Sequence, residues 1–227
     1  MKPQALLFDV FGTVVDWRGS LTQQLVQLGQ ARGLTADWAR LVTQWRASYQ
    51  PALQEVRSGC RPFVDLDILH REMLDRLLPA FGLGALDDGD RDRMVRGWHR
   101  LDAWPDAVAG LARLKSAFIV ATLSNGGVHL LVDMARYAGL PWDAVFSAGN
   151  FRHYKPDREV YLGAAELLAR PPASLMLVAA HNNDLKAART CGLKTAYVQR
   201  PTEDARPDCD WDIVARDFVD LANQLGT

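Results

Sequence analysis

The sequence has 227 residues, of which 48% are hydrophobic and 23% are charged, and its formal net charge is −1. This composition excludes a disordered chain, and the scattered lysines and arginines leave no basic patch for nucleic acid or for an acidic membrane surface. No apolar run approaches the ~18 residues of a membrane span, so we expect a cytoplasmic protein whose partner is a small molecule.

The first predicted element is a buried strand at Ala5–Phe8, and Asp9 follows it directly. Residues 16–99 then contain no strand-like run, but apolar residues recur there at helical spacing. Pro51 and Pro62 should divide this stretch into several helices, because proline lacks the N–H that a helix interior needs. We therefore predict a helical cap domain at residues 16–99, inserted after the first strand and seated over the sheet.

Apolar and helical segments alternate from residue 100 onward. Such alternation is typical of an α/β fold with a doubly wound, Rossmann-like parallel sheet. The predicted strands are Phe118–Leu123, Ala144–Ser147, Leu175–Ala180 and Thr195–Val198, and the predicted helices are Val128–Ala138, Arg158–Leu168 and Asp184–Cys191. Residues 1–15 and 100–227 should together form the core domain that carries this sheet.

Polar residues follow the predicted strands, and ligands of open α/β sheets bind beyond those strand ends. Asp9 follows the first strand, and Gly12 and Thr13 can supply a tight loop and a hydroxyl close to its carboxylate. A carboxylate that is oriented and partly desolvated can act as a nucleophile. A single aspartate after a strand is more often the cap of a turn or a helix than a nucleophile. The several polar strand ends, taken together, favour the nucleophile.

Four short motifs resemble, in order and in spacing, those of the HAD (haloacid dehalogenase-like) hydrolase superfamily. They are F-D-V-F-G-T-V around Asp9, S-N-G at Ser124–Gly126, K-P at Lys155 and N-N-D ending at Asp184. The stretch W-R-x-x-Y-x-P-A at Trp45–Ala52 resembles the cap of type II haloacid dehalogenases rather than the caps of HAD phosphatases. The resemblance therefore implies a dehalogenase with a HAD core and a helical cap.

The cap motif also predicts local structure. Arg46, Tyr49 and Leu53 stand at positions i, i+3 and i+7, so a single cap helix would present a cation, a phenol and an apolar side chain on one face. A solvated arginine on an amphipathic helix would show the same spacing.

Two acidic positions of the HAD phosphatase pattern are missing. Phe11 stands where those enzymes carry an aspartate that protonates an alkoxide leaving group, and a halide needs no such proton because it is already a stable anion. Ala180 stands where they carry an aspartate that helps to bind magnesium, and a hard divalent cation needs several oxygen ligands. We therefore expect neither a metal nor another cofactor.

The resemblance implies that Asp9 attacks C2 of a haloacetate or an (S)-2-haloalkanoic acid, and that water then hydrolyses the aspartyl ester to a 2-hydroxyacid. Lys155 would keep Asp9 ionised and offset charge in the transition state. Arg46 would anchor the substrate and receive the halide, Asn125 would also contact the halide, and Ser124 would bind the substrate carboxylate.

Seven further residues complete the predicted site. Asp184 is expected to orient Lys155 and organise the hydrolytic water, and Tyr161 is expected to hydrogen-bond close to them. His181 departs from the best-known type II pattern, and three interpretations stay open: it positions or deprotonates the water, it tightens the halide pocket, or it is an ordinary loop histidine. The remaining candidates for contact with substrate or halide are Phe11, Thr13, Tyr49 and Asn183.

Two other functions stay open at this point. One is a Mg-dependent HAD small-molecule phosphatase with an unusual first motif, and the other is a non-catalytic binding module that kept the fold. Retention of Asp9, Arg46 and Lys155 argues against a binding module, which has no need of an attacking carboxylate. The resemblance also admits a homodimer, since dimers are common among such proteins, and it makes a small-molecule 2-haloacid the expected partner.

Overall fold

The protein is described by a computed structural model that covers residues 2–227. Within this range the core is a six-stranded, fully parallel sheet with the strand order β3-β2-β1-β4-β5-β6. The strands are β1 (Ala5–Phe8), β2 (Ile119–Ser124), β3 (Ala144–Ser147), β4 (Leu175–Ala179), β5 (Lys194–Val198) and β6 (Ile213–Ala215).

β1 lies between β2 and β4 at the centre of the sheet, and all four of its residues are fully buried. A strand that is buried on both faces needs apolar residues throughout, which explains why Ala5–Phe8 contains no polar side chain. Past the strand, the N–H of Asp9 donates to the carbonyl of Val178 at 3.0 Å and so fixes the Asp9 backbone to β4. The strand order reverses at β1, and such a switch point opens a crevice beyond the strand ends.

Helices cover both faces of the sheet. The α-helices are α1 (Trp17–Arg32), α2 (Trp38–Ala47), α3 (Tyr49–Arg57), α4 (Leu66–Leu77), α5 (Asp88–Val95), α6 (Ala107–Lys115), α7 (Val128–Ala138), α8 (Ala148–Phe151), α9 (Arg158–Leu167), α10 (Asn182–Thr190) and α11 (Phe218–Leu225), and short 3-10 helices span Leu78–Phe81, Arg96–His99 and Pro172–Ser174. Helices α6, α7 and α11 pack on the face that carries Phe8, and α9 and α10 pack on the face that carries Leu7. The predicted doubly wound α/β fold is therefore confirmed. Among residues 2–227, no helix combines the length and the apolar character that crossing a membrane requires.

The predicted elements differ from the observed ones mainly at their ends. β2 runs one residue further than predicted, to Ser124, β4 stops at Ala179 instead of Ala180, and β5 already begins at Lys194. Helices α9 and α10 end one residue before the predicted limits, and α10 begins two residues earlier, at Asn182. The prediction missed β6, because a three-residue edge strand with an exposed central residue carries almost no periodic signal. It also missed α11, although Phe218, Leu221, Ala222 and Leu225 recur there at helical spacing.

The region between residues 16 and 99, called the insertion from here on, is helical as predicted. Its entry and exit lie side by side, because the N–H of Asp16 donates to Asp102 O at 2.9 Å and the N–H of Trp104 donates to Val14 O at 3.0 Å. The domain limits at 16 and 99 stay a prediction.

One detail of the insertion was predicted wrongly. Arg46, Tyr49 and Leu53 do not share a helix, because α2 ends at Ala47 and α3 begins at Tyr49. Pro51 explains the break: it has no N–H to donate to the carbonyl of Ala47, and its ring would clash with that carbonyl in a continuous helix. Arg46 and Tyr49 are nevertheless close in space, on two successive helices.

Gly110 on α6 allows α11 to approach closely, since a Cβ at this position would overlap with the side chain and backbone of Phe218. We expect Gly110→Ala to lower the free energy of unfolding by about 1–3 kcal/mol, although alanine is the better helix former. Chemical denaturation followed by circular dichroism measures this change. Gly89→Ala, on the exposed first turn of α5, is the matched control and should stay within about 0.5 kcal/mol of wild type. Equal stability of the two variants would contradict the close packing.

Candidate active site

The carboxyl ends of β1, β2 and β4 converge, together with helices α2 and α3 of the insertion, on a cavity of ≈ 340 Å³. Nine of the twelve site residues predicted from the sequence line it: Asp9, Phe11, Arg46, Tyr49, Asn125, Lys155, His181, Asn183 and Asp184. Thr13, Ser124 and Tyr161 are fully buried behind this lining. The sheet and the insertion thus bring the predicted residues to one place.

Asp9 lies at the bottom of the cavity and accepts hydrogen bonds on both carboxylate oxygens. Oδ1 accepts from Lys155 Nζ at 2.8 Å, and Oδ2 accepts from Thr13 Oγ1 at 2.8 Å and from His181 Nδ1 at 3.0 Å. Burial would raise the pKa of Asp9, but the charges and hydrogen bonds of Lys155 and His181 outweigh burial and hold this pKa well below its usual range. Asp9 is therefore an oriented carboxylate anion.

Lys155 connects two carboxylates. Its ammonium donates to Asp9 and also to Asp184 Oδ2 at 2.5 Å, and the side chain is almost completely buried. Burial would lower the pKa of Lys155, yet the two adjacent carboxylates raise it above its usual value, so the amine stays protonated. Tyr161 donates its hydroxyl to the other oxygen of Asp184 at 2.5 Å, and Asn125 Oδ1 accepts the backbone N–H of Lys155 at 2.7 Å.

Arg46 supplies a cation from the insertion. Its guanidinium lies over the ring of Tyr49 at 4.3 Å and near that of Trp17 at 5.5 Å. Nη1 of Arg46 is buried and has no hydrogen-bond partner among residues 2–227. Since a buried N–H without an acceptor is costly, this group points to an anionic ligand in the cavity. Tyr49 is held in place by Asn125 Nδ2, which donates to its hydroxyl at 2.9 Å.

His181 contacts Asp9 on one side and Glu203 on the other. Its Nε2 lies 2.8 Å from Glu203 Oε2, and Trp17 Nε1 donates to Glu203 Oε1 at 2.7 Å. Burial would lower the pKa of His181, but Asp9 and Glu203 raise it to about 10. The ring is therefore an imidazolium at neutral pH and donates from both nitrogens. Gly12 permits this arrangement, because a Cβ there would collide with the Glu203 carboxylate.

Glu203 is the residue that sequence analysis missed. It lies in the loop after β5, a strand end to which the search for polar residues could have been extended. The same loop carries Arg200, whose Nε donates to Thr13 O at 2.8 Å while its terminal nitrogens bind Asp106 at 2.7 and 3.0 Å. This loop therefore holds both His181 and the loop after β1 in place.

Ser124 does not line the cavity. It is fully buried, and its hydroxyl accepts the N–H of Gly126 at 3.2 Å. Thr13 supports Asp9 from behind and accepts the N–H of Ala180 at 2.9 Å. The predicted binding roles of Ser124 and Thr13 stay predictions, as does the role of Asn183 at the exposed rim.

The donor set does not fit a magnesium ion bound next to Asp9. The ammonium of Lys155 already lies between Asp9 and Asp184 and hydrogen-bonds to both. Phe11 and Ala180 contribute no side-chain oxygen, whereas a hard divalent cation needs several oxygen ligands in a regular arrangement.

Comparison with known proteins identifies the family of the chain. A family model described as haloacid dehalogenase-like hydrolase matches residues 3–192. The chain belongs to this family. Among curated members of this hydrolase family, (S)-2-haloacid dehalogenase 1 from Pseudomonas sp. (strain CBS-3) is 30% identical over 201 residues, which are 87% of this chain and 85% of that protein.

Two crystal structures of haloacid dehalogenase-like hydrolases are very similar to the chain. An L-2-haloacid dehalogenase shares 48% identity with a TM-score of 0.95, and the match covers 99% of both chains. A defluorinating L-2-haloacid dehalogenase shares 44% identity with a TM-score of 0.96, and the match covers 99% of this chain and 96% of that one. The resemblance found in the sequence is confirmed.

Asp9 and Glu203, the two carboxylates that contact His181, allow a prediction about the pKa of its ring. Glu203→Gln removes one of the two charges that raise the His181 pKa, so we expect this pKa to fall below its wild-type value of about 10. The raised pKa of His181 stabilises the folded protein below pH 6.5, and this stabilisation is lost as pH rises towards about 10. In the variant, the stabilisation should be lost at a lower pH. Imidazole NMR signals followed through a pH titration measure the shift, with the exposed-residue variant Glu166→Gln as control. An unchanged His181 titration in Glu203→Gln would contradict the assigned ion pair.

Proposed function

We propose that this protein hydrolyses the carbon–halogen bond of small 2-haloacids, namely haloacetates and (S)-2-haloalkanoic acids, to 2-hydroxyacids through an aspartyl ester and without a metal. The observation that carries the proposal is the buried, ion-paired carboxylate of Asp9, which faces a small cavity. Arg46 lines the same cavity, and its Nη1 has no hydrogen-bond partner among residues 2–227. The names of the similar proteins, (S)-2- and L-2-haloacid dehalogenases, support the same substrate class.

The cavity suits a small anion because Arg46 in its lining forms no ion pair with a carboxylate of residues 2–227. A 2-haloacid brings a carboxylate and produces a halide, so negative charge accumulates around a nucleophile that is itself an anion. Arg46, Arg57, Lys155 and the His181 imidazolium border this space. Fixed cations and N–H donors in a site screened from water stabilise such charge much more than they would in water.

In the first step, an oxygen of Asp9 forms a bond to C2 while the carbon–halogen bond breaks and the halide leaves with the electron pair. Attack opposite to the leaving group inverts C2 once. The halide needs no proton, and Phe11 occupies the place next to Asp9 where an acid would otherwise be required. Nη1 of Arg46 can donate a hydrogen bond to the departing halide or to the substrate carboxylate, and its positive charge stabilises either anion.

In the second step, water attacks the carbonyl carbon of the Asp9 ester, and we assign the base to His181. Esterification removes the charge of Asp9, which is one of the two carboxylates that raise the His181 pKa. The pKa then falls, Nδ1 releases its proton to solvent, and the neutral ring accepts one proton from the attacking water. The tetrahedral intermediate then breaks its bond to the substrate oxygen, which keeps the electron pair and takes the second proton of the water, so that the 2-hydroxyacid leaves and Asp9 is a carboxylate again. Glu203 keeps the ring oriented through Nε2. Asp184 is less suited, because both of its oxygens already accept short hydrogen bonds. One turnover thus releases one halide and one proton.

The domain arrangement belongs to the same proposal. Arg46 and Tyr49 come from the insertion, whereas Asp9, Lys155 and His181 come from the sheet, so the cavity lies between the two. We propose residues 16–99 as a cap over a core of residues 1–15 and 100–227. A cap of this kind excludes bulk water from the reaction. The expected homodimer stays a prediction.

Asp9→Asn tests the nucleophile. We expect it to lower halide release from chloroacetate and (S)-2-chloropropionate by at least ~10³-fold, because an amide cannot perform the displacement. Halide release is measured with and without a chelator, and Asp210→Asn, at an exposed position, is the control. Single turnover of wild type in ¹⁸O-water should place the label in Asp9. Label that appears in the product alone, loss of activity with the chelator, or magnesium-dependent phosphate release from a phosphomonoester would each contradict the proposal.

His181→Asn tests the base of the second step. We expect a burst of halide equal to the amount of enzyme, followed by turnover about 10²-fold slower than wild type, because the ester forms but is hydrolysed slowly. Mass spectrometry of the intact chain should then show the accumulated ester on Asp9. His153→Asn, a change at an exposed histidine that pairs with Asp157, is the matched control. Steady turnover of His181→Asn at the wild-type rate would assign the water to another residue.

A further inference from the structure

A second cluster of potential ligand atoms lies between the insertion and the sheet domain, outside the cavity at Asp9. It consists of Asp67 on α4, His99 at the end of the insertion and His129 on α7. Asp67 Oδ2 lies 2.8 Å from His99 Nε2 and 2.9 Å from His129 Nε2. The three ligand atoms all lie within 4.8 Å of one another. Within residues 2–227, the cavity next to this cluster shares no lining residue with the cavity at Asp9.

Asp133 on α7 orients one of these ligands. Its Oδ2 lies 2.9 Å from His99 Nδ1, so that nitrogen can carry the proton and leave the lone pair of Nε2 directed at the cluster. Metal-binding histidines usually have this partner, a carboxylate on the ring nitrogen that does not bind the metal. In addition, Asp67 Oδ1 is buried and has no hydrogen-bond partner among residues 2–227. An ionisable neighbour of this oxygen is His70, whose Nδ1 lies 4.0 Å away, beyond hydrogen-bonding distance. The carboxylate therefore keeps one oxygen that accepts no hydrogen bond from residues 2–227.

Two imidazoles and one carboxylate are the ligands that zinc and similar cations prefer, whereas magnesium and calcium prefer oxygen alone. Metal–ligand bonds of about 2.0–2.1 Å in a tetrahedron place neighbouring ligand atoms about 3.3 Å apart. The present separations of 2.8 and 2.9 Å would need to open by only about 0.5 Å to admit the ion. His129 is more than half exposed and can make this adjustment.

The surroundings leave a position for a fourth ligand and set the charge balance. A cavity of ≈ 520 Å³ borders the cluster and can provide water as that ligand. Arg96, Arg100 and Arg136 also line this cavity and oppose a cation, but all three are exposed and thus screened by solvent. The carboxylates of Asp133 and Asp67 lie 2.9 and 2.8 Å from the ring nitrogens of His99, and their negative charges offset two positive charges of the bound ion.

We propose that Asp67, His99 and His129 form a binding site for a borderline divalent cation such as Zn²⁺, with Asp133 as the outer support of His99. Asp67 and His99 belong to the insertion and His129 belongs to α7 of the sheet domain, so the bound ion would fasten the two together. This site is independent of the chemistry at Asp9.

Zinc binding to chelator-treated protein tests the proposal. Competition with a chromophoric chelator should show one Zn²⁺ per chain, and the melting temperature should rise by about 5–10 °C at a zinc concentration 100 times the dissociation constant. Co²⁺ in place of Zn²⁺ should give the visible absorption bands of a four- or five-coordinate ion. We expect His129→Ala, at an exposed position, and Asp67→Asn each to weaken zinc binding at least tenfold.

His153→Ala is the matched control, because His153 is also an exposed histidine close to an aspartate, Asp157, but stands outside the cluster. It should bind zinc as wild type does. Absence of saturable zinc binding, undiminished binding in His129→Ala, or equal weakening in His153→Ala and His129→Ala would each overturn the proposal. Circular dichroism of every variant establishes that a loss of binding is not a loss of folding.

Discussion

The proposed active site depends on the ion pair between the buried ammonium of Lys155 and the carboxylate of Asp9. Burial alone would drive both groups towards their neutral forms. The pKa of Lys155 is nevertheless raised by Asp184 and Asp9, and the pKa of Asp9 is lowered by Lys155, whose Nζ lies 2.8 Å away, and by His181. Asp184, itself held by Tyr161, binds the same ammonium from the far side. The sheet topology makes this pairing available, since the strand order reverses at β1 and leaves room for Lys155 beyond the strand ends.

Charges alternate along a continuous row through the site, from Glu203 to His181, Asp9, Lys155 and Asp184. Each charge lies next to at least one opposite charge, which keeps the five side chains together in a largely buried place. Asp9 stands at the centre of the row, so a change in its charge alters the protonation of its neighbours. In the proposed mechanism, ester formation removes that central charge, and the imidazole of His181 changes from a hydrogen-bond donor to a base.

The insertion completes the site and also supports it. It contributes Arg46 and Tyr49 to the cavity, and Trp17, at its beginning, holds Glu203 in the loop after β5. Arg200 in that loop binds the backbone next to Asp9 through Thr13. Segments far apart in the sequence are therefore linked by direct hydrogen bonds around Asp9, which explains how one short loop can position two parts of the site.

The sequence by itself determined the parallel α/β core, the helical insertion and the position of Asp9, because these follow from local periodicity and from motifs a few residues long. Only the tertiary structure decided the partners: that His181 bridges Asp9 and Glu203, that Ser124 lies behind the cavity wall, and that Arg46 reaches Tyr49 across a helix break. The physical reason is that such contacts join residues distant in the chain, and they depend on how loops fold back over the sheet, which no periodic pattern records.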